Sequence, residues 1–137
     1  MRMNSKVAVV TGASRGIGRA VAERLGAAGA RVIVNYHSDA VAAKDAVTAV
    51  ERAGGQATAV RADVRDPAQL SSLFEAAVEE YGGLDVLVSN AGRAWQMSLA
   101  DATDDDLELH LTINTWPVFR ALKEASLRMR DGGRTPG

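Results

Sequence analysis

Short apolar runs and helical patterns alternate along this chain. "KVAVV", Lys6–Val10, is compact and rich in β-branched residues, which predicts a buried strand. Ile17, Ala20, Val21, Leu25 and Ala28 then recur at helical spacing, with Gly29 as the stop. "RVIVN", Arg31–Asn35, predicts a second strand. Ala43, Ala46, Val47 and Val50 mark one face of a second helix, closed by Gly54-Gly55. "ATAVRA", Ala57–Ala62, reads as a third strand. A third helix from about Pro67 should bury Leu70, Leu73, Phe74, Ala77, Val78 and Tyr81, and end at Gly82-Gly83. "LDVLVSN", Leu84–Asn90, predicts a fourth strand. A polar loop with Trp95 and Met97 follows Gly92, and Thr103 before Asp104, Asp105 and Asp106 reads as a capped helix start. That helical stretch runs to about Arg130, and Pro117 within it should kink or divide it. Strands alternating with helices predict parallel βαβ units and a sheet covered on both faces.

Composition narrows the chemistry more than the fold. The 137 residues read as one domain, 1–137, with an irregular tail over about 131–137. A net charge of −1 gives no general attraction to nucleic acid or to an anionic membrane. The small basic cluster of Arg128, Arg130 and Arg134 reads as a solvated helix end. With no cysteine, disulfides, thiol catalysis and cysteine-ligated zinc are excluded. The N-terminus has no apolar run of signal-peptide length and no stretch approaches a membrane span, so a cytoplasmic location is expected.

The candidate chemistry starts at "TGASRGIG", Thr11–Gly18, which follows the first strand and opens the first helix. Gly12 permits a sharp turn, Gly16 lets backbone approach a pyrophosphate, and Gly18 allows close helix packing. Free N–H groups and the positive dipole end of the new helix then favour phosphate. No Gly-Lys-Ser/Thr follows, so this is not a P-loop. A dinucleotide is the expected ligand, with a purely structural glycine turn as the alternative.

The spacing Gly-x-x-x-Gly-x-Gly after a threonine, with "DV" at 63–64, "NAG" at 90–92 and "IN" at 113–114, resembles the short-chain dehydrogenase/reductase family. The likeness runs from Ser5 to about Gly133 with every motif in order. It implies a Rossmann-like, doubly wound α/β fold, here incomplete at about four parallel strands. It also implies hydride transfer between a nicotinamide cofactor and a small carbonyl or alcohol. On that likeness Gly12, Ser14, Arg15, Gly16, Ile17, Gly18 and Asn35 are cofactor contacts. Asp63 would meet the adenine amino edge with the backbone of Val64 beside it, and Asn90, Ala91 and Gly92 would close over the nicotinamide side. Asn114 matches the family's catalytic asparagine, which helps hold an ordered water for proton relay. Plainer readings stay open: Asp63 as a strand-end cap, Asn90–Gly92 as a turn, Asn114 as a helix-bending polar residue.

Cofactor choice follows from charge. NAD-preferring relatives carry an acidic residue at the end of the second strand to hold the ribose diol. Here "VNYHSD", Val34–Asp39, puts Asn35 at that end, and Asp39 belongs at the next helix start. Ser14 and Arg15 stand where the family's NADP users meet the 2′-phosphate, with His37 or Ser38 as possible helpers. NADP(H) is therefore expected over NAD(H).

The resemblance also sets a limit. The family's proton donor is a tyrosine with a lysine four residues later, and a serine holds the substrate oxygen. Tyr36 and Tyr81 are the only tyrosines, and Ala40 and Asp85 stand four residues on. The family's fifth strand should begin just after "DGGR", where the sequence offers "TPG". The expectation is a truncated chain that grips cofactor but does not complete catalysis. Pro117 stands where many relatives have glycine. The alternative is an interaction module, pairing through an exposed fourth strand with a complementary fragment, or self-associating through Val118, Leu122, Ala125 and Met129. That stripe equally reads as core. Trp95, Gln96 and Met97 would line a substrate pocket or cover the core.

Overall fold

The computed structural model describes residues 2–129. The expectations for Arg130, Arg134 and a tail at 131–137 lie outside those residues. The chain forms β1 (Val7–Val10), α1 (Gly16–Ala27), β2 (Arg31–Tyr36), α2 (Ala40–Arg52), β3 (Gln56–Arg61), α3 (Pro67–Tyr81) and β4 (Val86–Val88). A 3₁₀ turn at Leu99–Asp101 precedes α4 (Asp104–His110), a π-turn at Leu111–Thr115, and α5 (Trp116–Met129). The four strands are parallel in the order β3-β2-β1-β4. The chain therefore starts in the middle of the sheet, winds outward through β2 and β3, and crosses back to lay β4 on the other side of β1. That reversal opens a crevice at the carboxyl ends of β1 and β4. This is the Rossmann-like doubly wound arrangement the motifs imply.

Two-residue alternation along the strands divides the core. Val7, Val9 and Ile33 face one way, against Leu70, Leu73, Phe74 and Ala77 of α3 and Ala121 and Ala125 of α5. Val10, Val32 and Val34 face the other way, against Ala22 of α1 and Ala46 and Val50 of α2. No helix among the described residues is long and apolar enough to cross a membrane.

Helix faces are where the apolar pattern misleads. α1 was expected to bury Ile17, Ala20, Val21, Leu25 and Ala28. Its buried residues are instead Gly18, Ala22 and Gly26, and Ile17 is 77% exposed. The reason is close approach: a Cβ on Gly26 would stand 2.5 Å from Val50 Cγ1, and one on Gly55 would stand 2.5 Å from the Gly26 Cα. The helix meets its neighbours most closely through its smallest side chains, with Val21 and Leu25 half-buried at the edge of the core and Ile17 and Ala20 exposed. In α5 the buried set is Pro117, Ala121 and Ala125; of the expected stripe Ala125 is buried, Met129 packs partly on the core, Val118 is half-buried and Leu122 is exposed. Val78 of α3 is likewise exposed, and Tyr81 is half-buried with its hydroxyl 2.9 Å from Thr58 Oγ1.

The expected break at Pro117 is a π-turn just before it. Proline has no N–H to offer the preceding turn, and the hydrogen-bond register slips by one residue over Leu111–Thr115. Thr103 caps α4 reciprocally: its hydroxyl accepts from the Asp106 N–H, and the Asp106 carboxylate accepts from the Thr103 N–H.

Candidate functional site

The loop from Thr11 to Gly16 sits at the sheet reversal. Gly12 and Gly16 both have left-handed backbone, with φ of +61° and +57°, a region costly for other L-residues. Two partners hold the loop. Asn35, at the end of β2, is only 2% exposed. Its Oδ1 accepts from the Gly12 N–H (3.1 Å), its own carbonyl accepts from the Ala13 N–H (2.8 Å), and its Nδ2 donates to the Ala62 carbonyl (3.1 Å). From the other side, Thr11 Oγ1 accepts from the N–H groups of Asn90 (2.9 Å) and Ala91 (3.0 Å). Asn90 Nδ2 returns hydrogen bonds to the carbonyls of Thr11 and Gly12, each 3.1 Å. The glycine loop is thus laced to the ends of both β2 and β4.

The lacing explains two glycines. A Cβ on Gly12 would stand 2.9 Å from the Ala91 Cα, and one on Gly18 would stand 2.5 Å from both Asn90 Nδ2 and the Gly12 carbonyl oxygen. Gly16 has open space around it. Helix α1 begins without a side-chain cap, because Arg15 at that position makes no capping hydrogen bond. Its first N–H groups are orphans of the helix ladder and face an anion readily. Ser14 is buried at the turn, Ile17 stands out from it, and the Arg15 guanidinium is exposed, 3.9 Å from the Asp39 carboxylate.

Gly12, Asn35, His37, Ala62, Asp63, Val64, Arg65, Ala91, Gly92, Arg93 and Ile113 line a cleft of about 310 Å³ beside this loop. A larger hollow of about 670 Å³ lies along the outer face of α1, against Ile17, Val21, Arg24 and Leu25. Its lining is apolar apart from Arg24, so the smaller cleft, where backbone donors and polar side chains converge, is the chemical candidate. Asp63 is gripped there by Arg65: Nε and a terminal guanidinium nitrogen reach its carboxylate at 2.9 and 2.8 Å, and the Arg65 N–H adds a third bond at 3.0 Å. His37 Nε2 lies 3.7 Å away. The Arg65 fork, first of all, lowers the Asp63 carboxyl to about 2.

A pH dependence follows. The folded-state value lies below the ordinary carboxylate value of about 3.9, so the pair stabilises the fold above that value and its contribution fades as pH falls from about 4 to about 2. In Arg65→Ala the Asp63 titration, read by carboxyl ¹³C NMR, should return toward about 4. A midpoint still near 2 would mean that the backbone, not the fork, holds the charge.

Asn114 lies in the π-turn. Its Oδ1 accepts from the Arg93 N–H and its Nδ2 donates to the Arg93 carbonyl, both at 2.8 Å. Gly92 leaves room for this, since a Cβ there would stand 2.8 Å from Asn114 Oδ1. The structure therefore gathers Gly12, Asn35, Asp63, Val64, Ala91 and Gly92 around the cleft, and ties Asn90 and Asn114 to its rim. Asn35 is turned inward, so its side chain shapes the loop from below. Sequence reasoning passed over Thr11 and Arg65 as site residues. Thr11 is a polar residue ending an apolar run directly before a glycine; Arg65 stands two residues from Asp63, within reach of a local fork.

Comparison with known proteins identifies the family and the fold. The family model for short chain dehydrogenase matches residues 6–135. Versicolorin reductase stcU of Emericella nidulans is 41% identical over 133 residues, 97% of this chain and 50% of that protein. Trihydroxynaphthalene reductase PfmaI of Pestalotiopsis fici is 41% identical over 132 residues, 96% of this chain and 47% of that protein. Among solved structures, a short chain dehydrogenase from Burkholderia cenocepacia in complex with NADP superposes with a TM-score of 0.86 at 41% identity, over 93% of this chain and 52% of that one. The chain spans about half the length of the curated relatives it matches. With the family model matched over nearly the whole sequence, the chain belongs to the short-chain dehydrogenase family.

Proposed function

We propose that this chain binds NADP(H) in the cleft beside the glycine loop, as the cofactor-capturing part of a carbonyl–alcohol oxidoreductase. The observation that carries the reading is the uncapped start of α1 behind two left-handed glycines, held open by Asn35 and Asn90. The residues fit a dinucleotide: Cβ atoms at Gly12 and Gly18 would fill the space the backbone needs, and free donors remain at Arg15–Gly18. When bound, the nicotinamide supplies or accepts a hydride. The chain's own residues position it: the helix start and Gly12–Gly16 for the pyrophosphate, Asp63 and Val64 for the adenine side, Ala91 and Gly92 for the nicotinamide side. Asn114 would act on the proton side of the reaction. The serine and the tyrosine–lysine pair of that reaction do not occur together in these 137 residues.

Preference for NADP(H) rests on charge. Asn35 offers no carboxylate to a ribose diol, and its amide is committed to Gly12 and Ala62. Arg15 is exposed and able to meet a 2′-phosphate, and the Burkholderia relative's NADP complex supports the same choice. In calorimetric titrations NADPH should bind more tightly than NADH. Arg15→Ala should weaken NADPH by about 10- to 150-fold, the value of one hydrogen bond to a charged group, and leave NADH nearly unchanged. Equal affinity for both cofactors would defeat the preference; no binding of either by a cooperatively melting chain would defeat the reading itself.

A second reading is favoured by the surface. β4 is an outer strand of the described sheet, and Trp116, Phe119, Leu122 and Leu127 are exposed on α5. Pairing with a second copy or a complementary fragment would cover them.

A further inference from the structure

At the rim of the cleft the loop after Gly92 is tied to the helical layer at two places. At Arg93, backbone N–H and carbonyl pair with the Asn114 amide, both at 2.8 Å. At Trp95, the indole lies face to face on the His110 ring, with centroids 3.8 Å apart and planes 21° from parallel. His110 ends α4, and Asn114 lies four residues later on the same face. The His110 Nδ1 is 3.4 Å from Asn114 Nδ2.

Hydrogen-bond accounting decides the roles. Turning the Asn114 amide over would set donor against donor and acceptor against acceptor at Arg93, so Nδ2 is identified by that pairing. One Nδ2 hydrogen goes to the Arg93 carbonyl. The other is left for His110 Nδ1, 3.4 Å from Nδ2, and an Nδ1 that meets it accepts. An accepting Nδ1 corresponds to the tautomer with its hydrogen on Nε2, and the stack under Trp95 holds the ring plane that this arrangement needs. We propose that His110 is a positioning residue for Asn114: Nδ1 accepts the second amide hydrogen while Trp95 clamps the ring, so that one unit sets both the Asn114 rotamer and the path of the loop from Arg93 to Trp95. It deepens the proposed function, because it gains chemical meaning from Asn114 standing beside the nicotinamide side of the site.

Two measurements on the whole chain test it without any turnover. In the ¹⁵N-labelled protein at about pH 8, where histidine is ordinarily neutral, long-range ¹H–¹⁵N correlation should show His110 unprotonated at Nδ1 and protonated at Nε2. His110→Phe keeps a flat ring for Trp95 and removes the acceptor. In that variant one of the two Asn114 Nδ2 hydrogens should lose its downfield displacement and its protection from exchange, while the hydrogen bonded to Arg93 keeps both. A ring that only supports Trp95 would leave both hydrogens where they were, and that result, or an Nδ1-protonated His110 in the wild-type chain, would overturn the proposal. Adding NADPH to the same samples separates the two levels. Failure of the Gly12 and Gly16 amides to respond would sink the dinucleotide reading, whereas the His110 tautomer and the Asn114 hydrogens judge the positioning role alone.

Discussion

Gly18→Ala should lower the melting temperature and remove most NADPH binding, although alanine is the better helix former. In an exposed helix the exchange would stabilise by about 1 kcal/mol. Here the added methyl would stand 2.5 Å from Asn90 Nδ2, 2.5 Å from the Gly12 carbonyl oxygen and 3.1 Å from the Ala13 Cα. Two of these three neighbours are backbone and cannot rotate away. The third is the amide that donates to the Thr11 and Gly12 carbonyls. Moving it unlaces the glycine loop from the end of β4. Overpacking of this kind costs about 1–3 kcal/mol net, and the cofactor loses the shape it would bind. Gly16→Ala is the control. No atom lies within 4 Å of its Cβ position, so it carries only the strain of a left-handed φ of +57°, about 1–2 kcal/mol. A Gly18→Ala chain that melts higher than wild type and still binds NADPH would show that the lacing does not govern the site.

Asn35→Asp should destabilise the chain by about 3 kcal/mol or more at neutral pH without creating NADH preference. The substitution looks like the acidic residue that NAD users place at the end of the second strand. In this structure the side chain is turned inward and is 2% exposed. Its Nδ2 donates to the carbonyls of Ala62, Val60 and Tyr36 at 3.1, 3.3 and 3.3 Å. A carboxylate there would set charge against three carbonyl oxygens with only the Gly12 N–H in its favour, and an uncompensated buried charge costs about 3–5 kcal/mol. Burial and the carbonyls would raise the folded-state value of this carboxyl above its unfolded value of about 3.9. The penalty is then full above the folded value and shrinks as pH falls through it toward about 4. Denaturant melts of variant and wild type from pH 8 to pH 4.5 check the sign. A gap that widens on acidification would contradict the inward placement, and a gain in NADH affinity would show the carboxylate reaching the ribose.

The order of strands and helices was legible because each element carries its own period and its own stop. Gly29, Gly54 and Gly82 end helices in left-handed backbone, and each follows the last apolar position of its helix. The motif residues were legible because their chemistry is local: Gly12 and Gly16 need positive φ, and Thr103 and Asp106 close a capping box over three residues. The buried face of α1 was not legible. Hydrophobicity predicts that large apolar residues go inside, but two helices that approach at backbone distance select glycine and alanine instead, as Gly26 does beside Val50. In α5 the small Ala121 lies inside and Leu122 outside, while Ala125 and Met129 keep the expected side.

Sequence by itself determined the class of fold, the glycine turn, the absence of an acid at Asn35, and the lack of a tyrosine–lysine pair at the family's spacing, because each depends on residue type and local spacing. Tertiary structure alone decided what those residues touch. It turned Asn35 beneath the loop, seated Asn90 on Gly18, and brought Trp95 and Arg93 to the helical layer at His110 and Asn114. Those contacts join residues from separate strands and loops, several of them about 80 positions apart. The parallel pairing of β2 with β1 and β3 sets Asn35 under the loop, and the sheet's reversal, which lays β4 beside β1, brings Asn90 and Ala91 to Thr11.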